Sequence, residues 1–189
     1  MGRLSWKRFI EDAKRFVEIS NKINDGWEIK EIEHLSNPGK QYLCKRELRN
    51  NNSETYMWEY HILYSVSYEV PVLYFKVTST EGQMVNFQKV SDIIYDGLPE
   101  ILKKNITQCE HPLIKRPYYF LHPCKTSDLL WNDDVHKNVP YRPLPPNGIN
   151  KIEGVLFNAQ PKRAIQLMHR IKELIYITPH CLLFTLLSS

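Results

Sequence analysis

The sequence has no closely spaced pair of cysteines. Its four cysteines, Cys44, Cys109, Cys124 and Cys181, lie at least 15 residues apart. A structural zinc site needs paired ligands a few residues apart, and a small disulfide scaffold is denser in cysteine. No glycine-rich phosphate loop is present either. We therefore expect no metal, no cofactor and four free thiols, as in the reducing cytoplasm.

Long apolar runs and a large excess of one charge are also missing. The longest near-apolar run, Cys181–Leu187, is far too short to span a bilayer. The 25 Lys and Arg residues exceed the 21 Asp and Glu residues by only four, and they are spread along the chain. This charge pattern does not indicate a nucleic-acid partner. At 189 residues and 42% apolar composition, the chain is expected to be a globular protein without a stable membrane span.

Apolar residues recur at helical spacing in three segments. The first covers residues 5–24, with Ser5 in the position of an N-cap and Asp25-Gly26 as the stop signal. Residues 87–98 fit a short helix, and residues 159–177 fit a longer helix with basic residues off its apolar side. A basic amphipathic helix can contact a membrane or a partner, but packing on its own core is the commoner role.

Strand patterns fill most of the space between the first two helices. The strongest is Met57 to Tyr68, where large apolar or aromatic residues alternate with polar neighbours. The other predicted strands are 27–32, 41–48, 70–77 and 118–121. Helix, antiparallel meander and helix in this order predict an α+β fold with an antiparallel sheet and flanking helices.

The last third of the chain has a different composition. Residues 131–150 are rich in proline, which favours a rigid linker. The predicted organisation is a core over residues 1–130, this linker, and an atypical C-terminal helix with an apolar tail over residues 151–189.

Among the four thiols, Cys124 has the sequence context of a nucleophile. It follows a short apolar strand in a His122-Pro123-Cys124 turn and precedes the polar residues 125–127. A thiol that opens into a polar loop is partly exposed, and a nearby cation lowers its pKa. An inert, half-buried cysteine is the alternative, and the residues alone leave both possibilities open.

The other cysteines lack an activating partner in the sequence. Cys44 lies in an alternating strand and is expected to pack, whereas Cys109 lies in a predicted loop beside Glu110, whose charge would discourage a thiolate. Cys181 belongs to the apolar tail. His122 is close to Cys124 in sequence, and a hydrogen bond to backbone that fixes the turn is its expected role.

Two segments together resemble the autophagy-related protein ten family. Residues similar to the central hairpin of that family are Trp58-Glu59-Tyr60-His61-Ile62-Leu63-Tyr64-Ser65 and Ser67-Tyr68-Glu69-Val70-Pro71-Val72-Leu73-Tyr74-Phe75. Residues similar to its active-site segment are Glu110-His111-Pro112 and Phe120-Leu121-His122-Pro123-Cys124-Lys125-Thr126. A His-Pro-Cys triplet by itself is a weak signal, but its combination with this hairpin is specific. The resemblance covers residues 56–127.

The resemblance implies an E2-like conjugating-enzyme core and a thioester mechanism. Such an enzyme takes a ubiquitin-like modifier, autophagy-related protein twelve, from an E1-like activating enzyme, autophagy-related protein seven. It holds the C-terminal glycine of the modifier as a thioester, which by position would form on Cys124. It then passes the modifier to a lysine of autophagy-related protein five.

The resemblance also suggests roles for residues around the thiol. Ubiquitin carriers place an Asn after His-Pro, several residues before their cysteine, whereas Cys124 itself occupies that place here. We hypothesise that Tyr68, at the hairpin turn, and the side chain of His122 help to stabilise the oxyanion. The hairpin from Tyr56 to Tyr74 becomes a candidate docking surface. Its predicted partner-binding residues are Trp58, Tyr60, Tyr64 and Tyr74.

Alternatives stay open because the sequence after Asp128 departs from the family pattern of a closing helix and a Gly-Pro segment. One alternative is a non-catalytic binding module of the same pathway that uses the 56–77 hairpin for strand addition. Another is a lipid-conjugating enzyme of the autophagy-related protein three type, which shares the His-Pro-Cys motif but carries a long acidic insertion. A cysteine hydrolase ranks third, since no histidine has a spacing that marks a triad.

Overall fold

The computed structural model describes residues 4–33, 39–51, 54–94 and 105–123, with the side chain of Ile94 excepted. The helices and strands in these ranges are α1 (Trp6–Ile23), β1 (Glu28–Glu31), β2 (Gln41–Asn51), β3 (Glu54–Ser65), β4 (Val70–Ser79), α2 (Phe87–Ile94), β5 (Ile106–Glu110) and β6 (Pro117–Leu121). The predicted linker, C-terminal helix and apolar tail lie outside the described residues.

All six strands form one antiparallel sheet in the order β1-β2-β3-β4-β6-β5. The first four strands follow each other as a meander, and β6 then pairs with β4 while β5 lies outside β6. The predicted α+β fold with an antiparallel sheet and flanking helices is therefore confirmed, and it is consistent with an E2-like core.

Helix α1 begins after its predicted cap and ends at Ile23, one residue before the predicted end at residue 24. The Ser5 Oγ accepts a hydrogen bond from the Arg8 N–H at 3.2 Å. At the other end, Asn24 adopts the left-handed conformation with φ 54°, and its N–H donates to the carbonyl of Ser20. Asparagine tolerates this conformation better than most residues, so the helix closes at Asn24 before Gly26 is reached.

One face of the sheet packs against helix α1. Alternate residues of β3 point to this side, because successive side chains of a strand face opposite directions. The buried residues that this core collects from α1, β3 and β4 are Phe9, Ala13, Phe16, Tyr56, Trp58, Tyr60, Ile62, Leu73, Phe75 and Val77. The alternation from Trp58 to Ile62 thus defines a core face, as the sequence predicts, and Tyr56 extends that face by one residue pair.

Strand β3 is shorter at its C-terminal end than its sequence pattern predicts. It ends at Ser65, and a turn over residues 66–69 leads to Val70. Val66 fits the apolar alternation but is exposed in this turn. The sequence pattern continues past the end of the strand because hydrophobic periodicity alone does not indicate where the backbone turns.

Strand β5 was not predicted, because its residues read as part of a proline-punctuated loop. The prolines flank the hairpin strands without interrupting them: Pro112 lies in the β5–β6 turn and Pro117 is the first residue of β6. Cys109 therefore lies in a strand, paired with Tyr118, and not in a loop. Ile106 packs against the core and Cys109 lies on the other face. Strand β5 thus adds an edge strand to the sheet beside β6.

The second face of the sheet is also covered in part. His61 was expected to be a polar, outward neighbour in β3, yet it is only 1% exposed. A second apolar cluster forms here from Tyr42, Cys44 and Leu63, with Leu113 of the β5–β6 turn packed against it. The β5–β6 turn therefore covers part of the second face of the sheet.

Candidate active site

The turn between β3 and β4 presents Tyr68 at one end of the sheet. The turn closes through a hydrogen bond from the Glu69 N–H to the Ser65 carbonyl at 2.8 Å, with Glu69 at φ 53°. The Tyr68 N–H donates to the Ser65 Oγ at 3.4 Å. The ring of Tyr68 is left 52% exposed, so it remains accessible to a bound molecule.

His122 lies beside this tyrosine. It follows directly after β6, and its backbone N–H donates to the carbonyl of Asn105 at 3.1 Å. The imidazole and the Tyr68 ring meet edge to face, with centroids 5.9 Å apart and planes at 78°. The structure thus brings together two of the three residues proposed for catalysis. The third, Cys124, lies outside the described residues.

Asn105 joins this site although the sequence analysis did not select it. It directly precedes β5, and its backbone bond to His122 places it at the same end of the sheet. A primary amide is a donor of the type that stabilises oxyanions. The signal that could have revealed it was strand β5, because pairing of β5 with β6 aligns Ile106 with Leu121 and so puts Asn105 opposite His122.

The four predicted docking residues have very different exposures. Trp58 and Tyr60 are each 2% exposed and belong to the core under α1, so their side chains pack inside the protein. Tyr64 and Tyr74 are half-buried. Tyr74 stacks on Phe120, with centroids 5.7 Å apart, and burial raises the pKa of its hydroxyl to about 12. Of the four predicted docking residues, only Tyr64 and Tyr74 are therefore partly accessible.

A hydrogen-bonded chain of three polar side chains lies on the second face of the sheet: His111 and His61 are buried and Glu59 is half-buried. The Nδ1 of His111 accepts from the N–H groups of Leu113 and Ile114, both at 3.2 Å. In a neutral ring the proton of His111 is therefore on Nε2, which donates to the Nδ1 of His61 at 3.0 Å. The ring proton of His61 is then on Nε2, which donates to the Oε1 of Glu59 at 3.1 Å.

This hydrogen-bonded chain fixes the protonation of Glu59 and His111. Burial alone would raise the pKa of Glu59, but hydrogen bonds from His61 and from Arg46 outweigh it and lower that pKa to about 2. Burial, with the neighbouring His61, lowers the pKa of His111 to about 3. The result is an ionised Glu59 and a neutral His111 at neutral pH, which is the state that the hydrogen bonds require.

The same face holds a group of potential metal ligands, Cys44, Glu59 and His61, whose donor atoms lie within 4.8 Å of one another. The chemistry of these donors does not favour a metal ion. Glu59 already accepts two hydrogen bonds from Arg46, and the Nε2 of His61 carries a proton. Burial also raises the pKa of the Cys44 thiol to about 11. We therefore assign this group to the hydrogen-bonded structure of the sheet.

The two cysteines within the described residues do not resemble nucleophiles. Cys44 is buried, as expected for a packing residue. The pKa of Cys109 is raised by burial, whereas the sequence argument attributed the same direction to the charge of Glu110. Neither thiol has the depressed pKa that activates a cysteine.

The helices in the described part of the sequence include none with the length and apolar character of a membrane span.

Known proteins show clear similarity to this chain. A family described as "Autophagocytosis associated protein, active-site domain" matches residues 46–139. A human protein named ubiquitin-like-conjugating enzyme ATG10 is 37% identical over 186 aligned residues, which cover 71% of this chain and 81% of the relative. Proteins of the same name from Arabidopsis thaliana and Dictyostelium discoideum are 36% and 37% identical, and the matches cover 36% and 34% of their lengths. The family match includes the β3–β4 hairpin and the segment around His122.

Proposed function

Since this chain belongs to the family of ubiquitin-like-conjugating enzymes named ATG10, and is therefore an E2-like transferase of autophagy, we propose that it carries its modifier as a thioester on Cys124. The observation that supports this assignment is the pairing of Tyr68 with His122 at one end of the sheet. Cys124 is the second residue after His122 in the sequence, so the paired rings belong to the segment that bears the thiol.

The proposed reaction consists of two acyl transfers. The thiolate of Cys124 attacks the C-terminal glycine carbonyl of the modifier on the activating enzyme. A new C–S bond forms, the C–S bond to the activating enzyme breaks, and the cysteine of that enzyme leaves as a thiolate. A lysine amine of the acceptor then attacks the same carbonyl. The Cys124 thiolate leaves, an isopeptide bond forms, and the amine loses its extra proton to solvent.

Both steps pass through a tetrahedral oxyanion. We propose that the hydroxyl of Tyr68 and the side chain of His122 supply donors to it, and that the amide of Asn105 adds a third. These three assignments are supported by proximity. The rings of Tyr68 and His122 are in contact, and the carbonyl of Asn105 accepts a hydrogen bond from the backbone N–H of His122. Donors fixed in place before reaction are the groups that stabilise an oxyanion most effectively.

The partners in this proposal are those that the resemblance implies. The activating enzyme would be autophagy-related protein seven, the modifier autophagy-related protein twelve, and the acceptor autophagy-related protein five. The accessible part of the hairpin, with Tyr64, Tyr74 and residues 66–69, would contact the acceptor. The free thiols of Cys44 and Cys109 fit the reducing cytoplasm, where we propose that the reaction takes place.

The test is a charging assay with the purified activating enzyme, ATP and the modifier, followed by non-reducing gels. We expect an adduct that thiol reductant removes and that Cys124→Ala abolishes. Cys109→Ser is the matched control, because Cys109 is the more exposed of the two described thiols, and it should charge like the wild type.

Three results would contradict the proposal. Absence of an adduct from folded protein would favour the non-catalytic binding module. An adduct that persists in Cys124→Ala would show that another cysteine is the nucleophile. Transfer to an aminophospholipid in place of a lysine of autophagy-related protein five would indicate the lipid-conjugating type.

A further inference from the structure

The turn that carries Tyr68 is held by the segment that precedes helix α1. The backbone N–H of Leu4 donates to the carbonyl of Glu69 at 2.9 Å. The carbonyl of Leu4 in turn accepts from the hydroxyl of Tyr64 at 2.6 Å. Leu4 thus bridges the end of β3 and the last residue of the turn, so residues 65–69 are tied to the strand from outside as well as through their own hydrogen bonds.

Tyr64 is itself fixed by aromatic neighbours from helix α1. The ring of Trp6 lies edge-on to it, with centroids 5.6 Å apart, and the ring of Phe9 lies at 5.7 Å. Phe9 is part of the buried core. Burial also raises the pKa of Tyr64, so its hydroxyl keeps the proton that it donates to Leu4. The bridge therefore links the core, through Tyr64, to the exposed turn.

We propose that Tyr64 is a positioning residue for the transfer step, acting through Leu4 on the turn that carries Tyr68. The proposal rests on the thioester function above. The hydroxyl of Tyr64 does not meet the reacting atoms. It holds Leu4, Leu4 holds Glu69, and Glu69 fixes the backbone next to Tyr68, whose ring faces His122.

The turn closes through the bond from the Glu69 N–H to the Ser65 carbonyl, but Tyr68 itself is weakly restrained. Tyr68 is exposed, and the bond from its N–H to Ser65 is long at 3.4 Å. Glu69 has a positive φ, a conformation that disfavours residues other than Gly, Asn and Asp. Without the bridge, the Tyr68 ring would sample positions away from His122.

Tyr64→Phe tests the proposal because it removes one hydroxyl and keeps the ring between Trp6 and Phe9. Single-turnover transfer from preformed thioester takes place without the activating enzyme, so its rate reports the second acyl transfer alone. Because Tyr64 also belongs to the proposed acceptor surface, the rate is measured at saturating acceptor, where we expect transfer to lysine to fall about 5- to 10-fold, since small misplacements of catalytic groups have effects of this order or larger. Charging, measured as the endpoint of thioester formation, should remain complete.

Tyr119→Phe is the matched control. The hydroxyl of Tyr119 also donates to a backbone carbonyl, that of Val85, at 2.8 Å, and this bond lies on the α1 side of the sheet. The control should transfer within about 2-fold of the wild type, because the bond that it removes does not restrain the turn. Equal slowing of both variants would overturn the proposal.

Leu4→Pro provides a second variant that leaves Tyr64 intact. Proline has no N–H, so the bond to Glu69 is lost. We expect slower transfer, as in Tyr64→Phe. Wild-type transfer by folded Leu4→Pro or by Tyr64→Phe would overturn the proposal.

A spectroscopic readout separates positioning from general destabilisation. The ring-current shift of the His122 imidazole protons comes from the rings of Tyr68 and Phe120, whose centroids lie 5.9 and 6.1 Å from that of His122. None of the variants alters Phe120, so a change in the shift reports the contact with Tyr68. This shift should be reduced in Tyr64→Phe and Leu4→Pro but retained in Tyr119→Phe. An unchanged shift in Tyr64→Phe would overturn the proposal even if transfer is slow. The shift is measured without modifier, so it decides the role of Tyr64 in the turn even if wild-type protein fails to form a thioester.

Discussion

At the scale of single residues, the site is defined by contacts between side chains that are distant in sequence. Tyr68 lies in a turn and His122 follows a strand, and only pairing of β4 with β6 puts these two ends of the sheet together. The sequence next to either residue does not mark it as functional. Their significance comes from their mutual position, and from the thiol two residues beyond His122 in the sequence.

Tyr68→Phe tests the donor role directly. The ring contact with His122 would remain, while the hydroxyl that could donate to the oxyanion would be lost. We expect transfer from preformed thioester to lysine to slow by about 10- to 100-fold, somewhat below the loss measured for a main oxyanion donor, because Asn105 and His122 remain. Charging should still occur. A full wild-type rate of transfer would show that Tyr68 only packs.

Single residues also show how far sequence reasoning extends. Cys44 is buried as its strand pattern predicted, whereas Trp58 and Tyr60 match the family hairpin but are buried in the core. A resemblance identifies which residues occur in a motif, but it does not say which face of a strand they occupy. The alternation of β3 already placed both residues on the apolar face.

At the scale of elements, the connection between α1 and β1 depends on one hydroxyl. Ser20 is buried in α1, where its Oγ accepts from the Trp27 N–H at 3.0 Å and donates to Asp25. Trp27 is a core residue in edge-to-face contact with Phe16. The side chain of Ser20 therefore fixes the exit of the helix and the entry to the sheet together.

Ser20→Ala should destabilise the protein by about 1–3 kcal/mol, because a buried backbone N–H would lose its acceptor. Urea unfolding followed by tryptophan fluorescence measures this change. Ser67→Ala in the exposed β3–β4 turn is the control and should change the free energy of unfolding by less than about 0.5 kcal/mol. A loss in Ser20→Ala as small as that of the control would contradict the assigned role.

The element that sequence reasoning missed is β5. A strand of five residues beside two prolines carries too little periodicity to be recognised, and only its pairing with β6 stabilises it. Its absence from the predicted elements also hid Asn105. By contrast, α1 and the β3–β4 hairpin were predictable because each repeats its apolar pattern over many residues.

At the scale of the whole molecule, the hydrogen-bonded chain of His111, His61 and Glu59 joins the β5–β6 turn to the middle of the sheet. His111 is fully buried and neutral. Protonation would remove the acceptor for Leu113 and Ile114 and would place a charge beside His61. The folded state therefore resists protonation of His111, whereas the unfolded chain does not.

This difference predicts a pH dependence of stability. The pKa of His111 is about 3 in the folded protein against 6.5 as its ordinary value, so between these values the unfolded state binds more protons. Stability is then fully present above pH 6.5 and falls as the pH decreases below it. We expect a loss of about 2 kcal/mol between pH 7 and pH 5 from this group.

Urea unfolding at several pH values checks this prediction, with His111→Asn as the comparison. The Asn side-chain oxygen can accept from the same two backbone N–H groups but does not titrate. The variant should lose less stability between pH 7 and pH 5, whatever its stability at pH 7. Parallel curves for the two proteins would exclude His111 as the source. Glu59, with its pKa lowered to about 2, should add a further loss only below about pH 4.5.

The sequence by itself determined the α+β class, the long helix, the central hairpin and the family, because these depend on periodic patterns and on motifs that are contiguous in the chain. Tertiary structure decided which hairpin tyrosines are accessible, that Asn105 and Tyr68 meet at His122, and that His61 is buried against His111. These features depend on the pairing of β6 with β4 and β5 and on cover from a distant turn. A local pattern records only which residues share a face, whereas the order of the strands decides which distant residues lie against that face.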